Sequence, residues 1–438
     1  MFQYYFLLGL RSLRRNPALT ALMVLTLAIG VAASVSTLTI LHVMSGDPIP
    51  NKSNRLFVPQ IDNGPLDGYK PGDEPNDNQM GYPDAMNLLA SKAGERRTAI
   101  YGIGQSIEPE RKDLGAFMAQ GLAVTSDFFN MFDVPFLHGS GWNPADDKTG
   151  ADVVVLSRAM AAKLYGDADP IGKRVTIGTI QYQIVGVLDK WTVVPRFHRL
   201  IGNEDAAFVD EDEMFVPFAS AIRHEFQRMG STSCTGDVTP GFKGFLDSEC
   251  TWIQFWFETR TAADRAELQS FLDSYAIEQR KLGRLKRAAP NVLYDVREWL
   301  DHLKVVGNDS KLSAWLAFGF LVLCLVNTIG LLLAKFSVRA AEVGIRRALG
   351  ASRREIFTQF LIETTVVGLV GGILGLLLAF SALALIAMQS KALTAVAHMD
   401  WIMLLTTFAM AVLSAVLAGL LPTWRACQVT PALQLKSQ

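Results

Sequence analysis

Four long apolar runs interrupt a chain of otherwise mixed polarity: Ala18–Met44, Leu312–Ala334, Phe357–Met388 and Trp401–Leu421. Each reaches the ~20 residues that a helix needs to cross a bilayer. Between the first and second runs lie more than 250 residues of mixed character. The pattern predicts an α-helical membrane protein with four transmembrane helices and a large α+β external domain. The expected spans are 18–45, 312–334, 357–388 and 401–423, and the external domain is expected at 46–311.

Shorter patterns fill in this outline. Phe2, Phe6, Leu10 and Leu13 fall on one side of residues 1–17 and arginines on the other, which suggests a helix lying on the inner leaflet. Asn16-Pro17 offers an N-cap followed by proline at the first helical position. Ala28, Ala32 and Ser36 form a small-residue seam suited to close helix packing, with a second copy of the protein as one candidate partner. Gly368, Gly371, Gly372 and Gly375 give two overlapping G-x-x-x-G spacings in the third run.

In the external region, Arg55–Val58 reads as a strand and Tyr82–Ala90 as a short helix after a Gly/Pro/Asp-rich loop. Val153–Leu156 reads as a buried strand, Ser157 caps a helix ending near Tyr165, and β-branched runs around Val175 and Ile184 form a hairpin. Trp252–Thr259 is an aromatic-rich strand whose tryptophans are read as core, and Ala262–Leu285 is a long helix. Asn291–Val306 leads into the second apolar run, so external movement and membrane-helix movement are expected to be coupled.

The stretch from Lys335 to Gly375 is the most informative. Val338, Ala341, Ile345 and Leu349 recur at helical spacing, while Arg339, Glu342, Arg346 and Arg347 fall off that stripe and are expected to form a charged surface. Glu342 and Arg346 stand in the favourable i,i+4 order. Gly350 supplies a stop, and Ser352 followed by Glu355 is a capping box for the helix that enters the membrane. Two readings of this loop stay open: its arginines only fix membrane topology, or the helix docks a cytoplasmic partner.

Charge sets the expected orientation. Arg11, Arg14 and Arg15 precede the first run, the 335–356 loop is densely basic, Arg425 and Lys436 follow the last run, and the 389–400 connection carries only Lys391. Both termini, the 335–356 loop and the 424–438 tail are therefore expected in the cytoplasm of a bacterial inner membrane. The first run is longer than a signal-peptide core and is expected to stay as a membrane helix. The net charge of −1 says little, because opposite charges are sorted across the bilayer.

Candidate chemistry is sparse. Cys234 and Cys250, both in the external region, are candidates for a disulfide. The acidic run Glu204–Glu213 reads as a solvated face, and neither H-E-x-x-H nor G-x-S-x-G occurs, so no metal or catalytic site is expected. Gly172-Lys173 fails as a phosphate loop, since Gly166 is one position too far and Arg174 stands where serine or threonine belongs. With Glu363 and His42 as almost the only ionisable residues in the runs, an ion pathway is disfavoured.

Glu342–Ala351 (EVGIRRALGA), followed by Ile356, Gln359 and Glu363, is similar to the hallmark of the FtsX-like permease domain. Val124–Val187, with Phe128-Phe129, Gly166-Asp167 and Asp169–Lys173, resembles the MacB-like periplasmic core domain, and Pro422, Arg425, Pro431, Ala432 and Leu433 resemble the family's tail. The chain thus resembles ABC transporter permeases of the MacB/FtsX type, the type VII or mechanotransmission group. The resemblance implies a large α+β periplasmic domain of two lobes, one from 46–124 and 251–311 and a second, inserted one at 125–250, and a dimer formed through the first two membrane helices, with a second copy or a sister permease. It makes Val338–Leu349 the coupling helix that contacts a cytoplasmic ATPase, with Arg339, Glu342, Arg346, Arg347, Gly350 and Ser352 as the coupling residues. No Walker A sequence occurs in these 438 residues, so no cofactor is expected here, and ATP and Mg are expected on a separate ATPase subunit.

Three functions follow as expectations. The first is export of periplasmic drugs, peptides or siderophores with an adaptor and an outer-membrane channel. The second is lipoprotein extraction, which calls for an apolar cavity between the first two membrane helices. The third is a non-transporting scaffold regulating a periplasmic hydrolase. Membrane lipid is an expected partner and nucleic acid is not.

Overall fold

The computed structural model describes residues 16–75, 79–111, 113–191, 193–200, 207–208, 211–389 and 401–427. The expected interfacial helix before Asn16, the 390–400 part of the short connection, and the tail beyond Cys427, with Pro431, Ala432, Leu433 and Lys436, lie outside the described residues. So do Glu204, Asp205 and Asp210 of the acidic run. The chain divides into two compact units, one of Gly46–Val305 and one of Met1–Ser45 with Val306–Gln438.

Gly46–Val305 is built on strands β1 (Leu56–Gln60), β2 (Met80–Gly81), β3 (Arg96–Glu108), β4 (Phe117–Val124), β5 (Phe136–Gly139) and β6 (Val153–Leu156). The remaining strands are β7 (Arg174–Ile177), β8 (Ile180–Leu188), β9 (Met214–Pro217), β10 (Arg228–Met229), β11 (Thr251–Glu258) and β12 (Val292–Asp295). Nine follow one another as β12-β1-β11-β3-β4-β9-β6-β8-β5, with β2, β7 and β10 joined at the side. The β4–β9 and β6–β8 pairs are parallel and the others antiparallel. Residues 125–250 and the segments flanking them supply strands to this one sheet.

The central strands are buried on both faces, and the strand period of two sorts their side chains between two cores. Phe57, Tyr101, Ala123, Val154, Met214 and Phe257 enter one. Leu56, Ile100, Leu122, Val155, Phe215 and Trp256 enter the other. That explains why β11 reads as a continuous aromatic run: all eight of its residues are buried. Ser157 caps the helix Arg158–Tyr165 by accepting from the Met160 N–H at 3.1 Å. Cys234 and Cys250 are joined in a disulfide, and beside it Ser233 and Thr251 exchange two backbone hydrogen bonds of 3.1 and 2.8 Å.

One expectation for this unit is corrected. Asp212, in the acidic run read as a solvated face, is fully buried, with Arg199 Nη1 at 2.7 Å and Arg196 Nη2 at 3.0 Å from its oxygens. Beside it His198 is fully buried, stacks on Trp191 at 4.8 Å, and has no hydrogen-bond partner on either ring nitrogen among the described residues. Basic side chains from Arg196–Arg199 override the local run of like charge, which periodicity alone does not reveal.

The other unit contains α1 (Pro17–Met44), α2 (Asn308–Val338), α3 (Ala340–Ala348), α4 (Arg353–Gln389) and α5 (Trp401–Cys427). Among the described residues α1, α2 and α4 are long and apolar enough to cross a membrane. The fourth expected span corresponds to α5, 27 residues long, with an apolar stretch over Val412–Trp424. Helices α2 and α4 outrun their apolar runs, because backbone hydrogen bonding continues into polar turns where hydropathy has already fallen. Asn16 makes no side-chain cap, although its carbonyl accepts from Thr20 N at 3.0 Å.

Small residues bring these helices together. Ala28, Ala32 and Ser36 are buried, and so are Gly368 and Gly372. A Cβ on Gly375 would lie 3.0 Å from the Ala28 carbonyl and 3.2 Å from Val31, so α4 approaches α1 at backbone distance there. The seam therefore has a packing partner inside the same chain. Ser34 Oγ adds a hydrogen bond across to the Ala317 carbonyl of α2 at 2.9 Å.

Candidate functional site

The stretch singled out by sequence folds as an elbow. Helix α2 ends at Val338, Arg339 (φ −97°, ψ 3°) breaks the axis, and α3 covers Ala340–Ala348, so the short helix starts two residues later than its apolar stripe suggests. At its other end Gly350 takes φ +100°. Its N–H donates to Arg347 O at 3.1 Å, and Ala351 N–H donates to Arg346 O at 3.0 Å, which is the glycine-terminated helix end expected there. Ser352 and Glu355 then form the reciprocal box: Ser352 N–H donates to Glu355 Oε2 at 2.9 Å, and Glu355 N–H donates to Ser352 Oγ at 3.2 Å.

The apolar stripe of α3 faces outward, against the sequence expectation, while the expected charged surface is kept in part, with the side chains of Glu342 and Arg346 36% and 42% exposed. Val343 is buried with Phe336, Ile356 and Phe360, while Ile345 and Leu349 are 58% and 83% exposed and Val338 is exposed as well. The side chain of Ala341 lies outside the described set. The polar residues, part-exposed, also bond across to α4. Arg346 donates to Gln359 Oε1 of α4 at 2.9 Å and to Glu342 Oε1 at 2.6 Å. Arg339 Nη1 donates to both carboxylate oxygens of Glu363, at 3.1 and 2.9 Å. The reading failed because it assumed that apolar positions face protein. Here arginine reaches far enough to bond across to α4 and leaves the aliphatic stripe outward.

Sequence reasoning missed Lys335, which it placed at the start of the cytoplasmic 335–356 loop. Its Nζ is 2.8 Å from Glu363 Oε1, and the side-chain exposures are 0% for Lys335, 3% for Glu363 and 11% for Arg339. The signal was present as two spacings of four: Lys335 with Arg339 on one helix end, and Gln359 with Glu363 on the facing one. Of the candidate coupling residues, Arg339, Glu342, Arg346, Gly350 and Ser352 thus shape the elbow itself, and Arg347 is half-buried on α3.

Elsewhere in this unit an apolar cavity of about 310 Å³ is lined by Val35, Leu38, Leu41 and His42 of α1 and by Thr406 and Met410 of α5. It lies between the first and last helices of the unit, not between the first two. Among the described residues no group of three or more His, Cys, Asp or Glu side chains is placed to hold a metal.

The model of the MacB-like periplasmic core domain matches residues 20–274, and that of the FtsX-like permease C-terminal region matches 314–431. A pyoverdine export ATP-binding/permease protein, PvdT, of Pseudomonas entomophila is 26% identical over 70% of this chain and 41% of its own length. A macrolide export ATP-binding/permease protein, MacB, of Marinobacter nauticus is 22% identical over 98% of this chain and 60% of its own. The chain spans about half the length of the curated relatives it matches. The crystal structure of the periplasmic region of MacB from Actinobacillus actinomycetemcomitans aligns with a TM-score of 0.36 at 12% identity, over 58% of this chain and 95% of that one. With the elbow motif in the second matched region and the large mixed sheet in the first, the chain belongs to the MacB/FtsX-type family of ABC transporter permeases.

Proposed function

We propose that the chain is the permease subunit of a transporter in which a separate ATPase docks on α3 and drives rearrangement of the Gly46–Val305 unit, exporting periplasmic substrates of the drug, peptide or siderophore class. The observation that carries this reading is the outward stripe of Ile345 and Leu349 on a short helix that is pinned from behind to α4. An aliphatic stripe held rigidly in water is the kind of surface a protein partner covers. The disulfide agrees with an oxidising compartment for the large unit, and the arginines of the elbow agree with a cytoplasmic α3. Four spans with both termini cytoplasmic, in a bacterial inner membrane, complete the arrangement, with a second copy or sister permease alongside. In this reading ATP and Mg are bound by the ATPase.

The test is isolation of the tagged permease from native membranes, unaltered and as the Ile345→Asp/Leu349→Asp variant. The unaltered chain is expected to bring an ATPase with it, and the variant to insert normally but lose it. Undiminished ATPase recovery with the variant overturns the docking assignment.

A further inference from the structure

The elbow holds more charge than its surroundings repay. Lys335, Arg339 and Glu363 are withdrawn from water at the junction of α2, α3 and α4, among the rings of Phe336 and Phe360, whose centroids are 4.4 Å apart. Nζ of Lys335 makes no hydrogen bond to any described residue, so the Glu363 carboxylate at 2.8 Å is its counter-charge there. Buried ion pairs of this kind are poor sources of stability, because desolvation consumes most of the attraction, and apolar residues of similar volume pack as well. What they supply is one geometry: a carboxylate shared by two cations from successive turns of α2 accepts few alternative registers.

The backbone shows why a single geometry matters. Helix α3 is nine residues long and lies between two breaks, the non-helical Arg339 and the left-handed Gly350. A short helix between two such joints swivels unless side chains hold it. Glu363 ties the first joint by accepting from Arg339 at the break and pairing with Lys335 one turn earlier on α2. One turn away on α4, Gln359 holds Arg346 at the far end of α3. The contacts therefore run from α2 across the joint to α4, and from α3 to α4.

We infer that Glu363 is a positioning residue: with Lys335 and Arg339 it locks α2, α3 and α4 into one rigid body, so that a push on α3 reaches both long helices instead of being absorbed at Arg339 and Gly350. This rests on the docking reading above for its role in transport, but the lock itself is a property of the permease alone.

The test separates the two. In the full chain, with Cys324 and Cys427 replaced by alanine, spin labels are placed at Ser337→Cys and Ala348→Cys, both exposed positions on α2 and α3. The distance distribution is measured in Glu363, Glu363→Gln and Lys335→Met/Glu363→Met backgrounds. The double methionine variant refills the Lys335–Glu363 volume with apolar side chains, and Arg339, 11% exposed at the break, loses its carboxylate there as it loses the charge in Glu363→Gln. A narrow distribution is expected with Glu363, and one about twice as broad with either replacement, on the reasoning that the joint at Arg339 is then free. In the same proteins ATPase recovery is expected to be unchanged, while permease-stimulated ATP hydrolysis falls about tenfold, a typical loss of site-to-site coupling. A narrow distribution in the double methionine variant, or stimulation restored there together with folding, overturns the inference and leaves Glu363 a packing residue. A broadened distribution with no ATPase recovered even by the unaltered chain supports the lock and overturns the docking reading instead.

Discussion

His198 makes the large unit acid-sensitive in a way that can be isolated. Burial pushes its pKa well below the ordinary 6.5, and the charges of Arg196 and Arg199 push it the same way. The Asp212 carboxylate is 4.0 Å from Nε2 and already engaged by both arginines. In the folded chain the ring therefore stays neutral, while in the unfolded chain it takes up a proton below its ordinary value. For a histidine depressed on folding, the contribution to stability is present above the unfolded pKa and is lost as pH falls below it. Each pH unit then removes about 1.4 kcal/mol once the unfolded ring is fully protonated, and between pH 7.5 and 5.5 the total is about 1.4 kcal/mol. The perturbation is His198→Phe, which keeps an aromatic ring against Trp191, Phe128 and Phe132 but does not titrate. The assay is urea unfolding of the full chain in detergent, followed by tryptophan emission, at both pH values for both proteins. Taking the difference between them cancels the other histidines and every carboxylate. Parallel pH dependences, with the difference between the proteins changing by under about 0.3 kcal/mol, would refute the reasoning, because the ring must then be protonated in the folded state.

Two further perturbations address the packing. Replacing Cys234 and Cys250 by serine releases a cross-link between residues 16 apart, worth about 3 kcal/mol by loop-closure entropy, and should lower the unfolding free energy of the unreduced protein by that amount, read from urea curves; an unchanged midpoint would mean the loop stays ordered without it. Gly375→Leu drives a side chain into the Ala28 carbonyl and Val31 and should cost about 1–3 kcal/mol in thermal unfolding in detergent, whereas Gly330→Leu, whose Cβ meets nothing within 4 Å, should cost little; equal effects at the two glycines would remove the argument for close α1–α4 approach.

Much of this architecture is legible because it rests on local rules. Hydropathy finds α1, α2 and α4, Ser157 announces its helix, and the continuous aromatic run of Thr251–Glu258 signals a strand buried on both faces. Gly350 and the Ser352–Glu355 pair mark the elbow to within a residue. The rest depends on partners distant in sequence. Asp212 looks solvated until Arg196 and Arg199 are placed beside it, and Lys335 looks cytoplasmic until α4 brings Glu363 across 28 positions. The faces of α3 were misread for the same reason. Periodicity reports which residues share a side but not which side meets protein, and the bonds of Arg339 and Arg346 to α4 decide that.

The elbow breaks two ordinary rules in one place, and the two breaks fit together. Charges are buried where apolar residues would serve stability as well, and aliphatic side chains are exposed where charge would serve solubility. If only one rule were broken, packing economy would be explanation enough. Inverting α3 exchanges both: it uses the arginines to set the angle of a nine-residue helix against α4, and it frees Ile345 and Leu349 to face outward. Each half depends on the other, since an outward aliphatic stripe transmits force only from a helix that cannot roll, and a locked helix transmits nothing without a surface to push on. A substitution that loosens the lock should therefore leave binding at the stripe intact and spoil its consequence, while one that alters the stripe should abolish binding and the consequence with it. That asymmetry follows from sequence spacing and side-chain reach, and it distinguishes a lever from a binding patch.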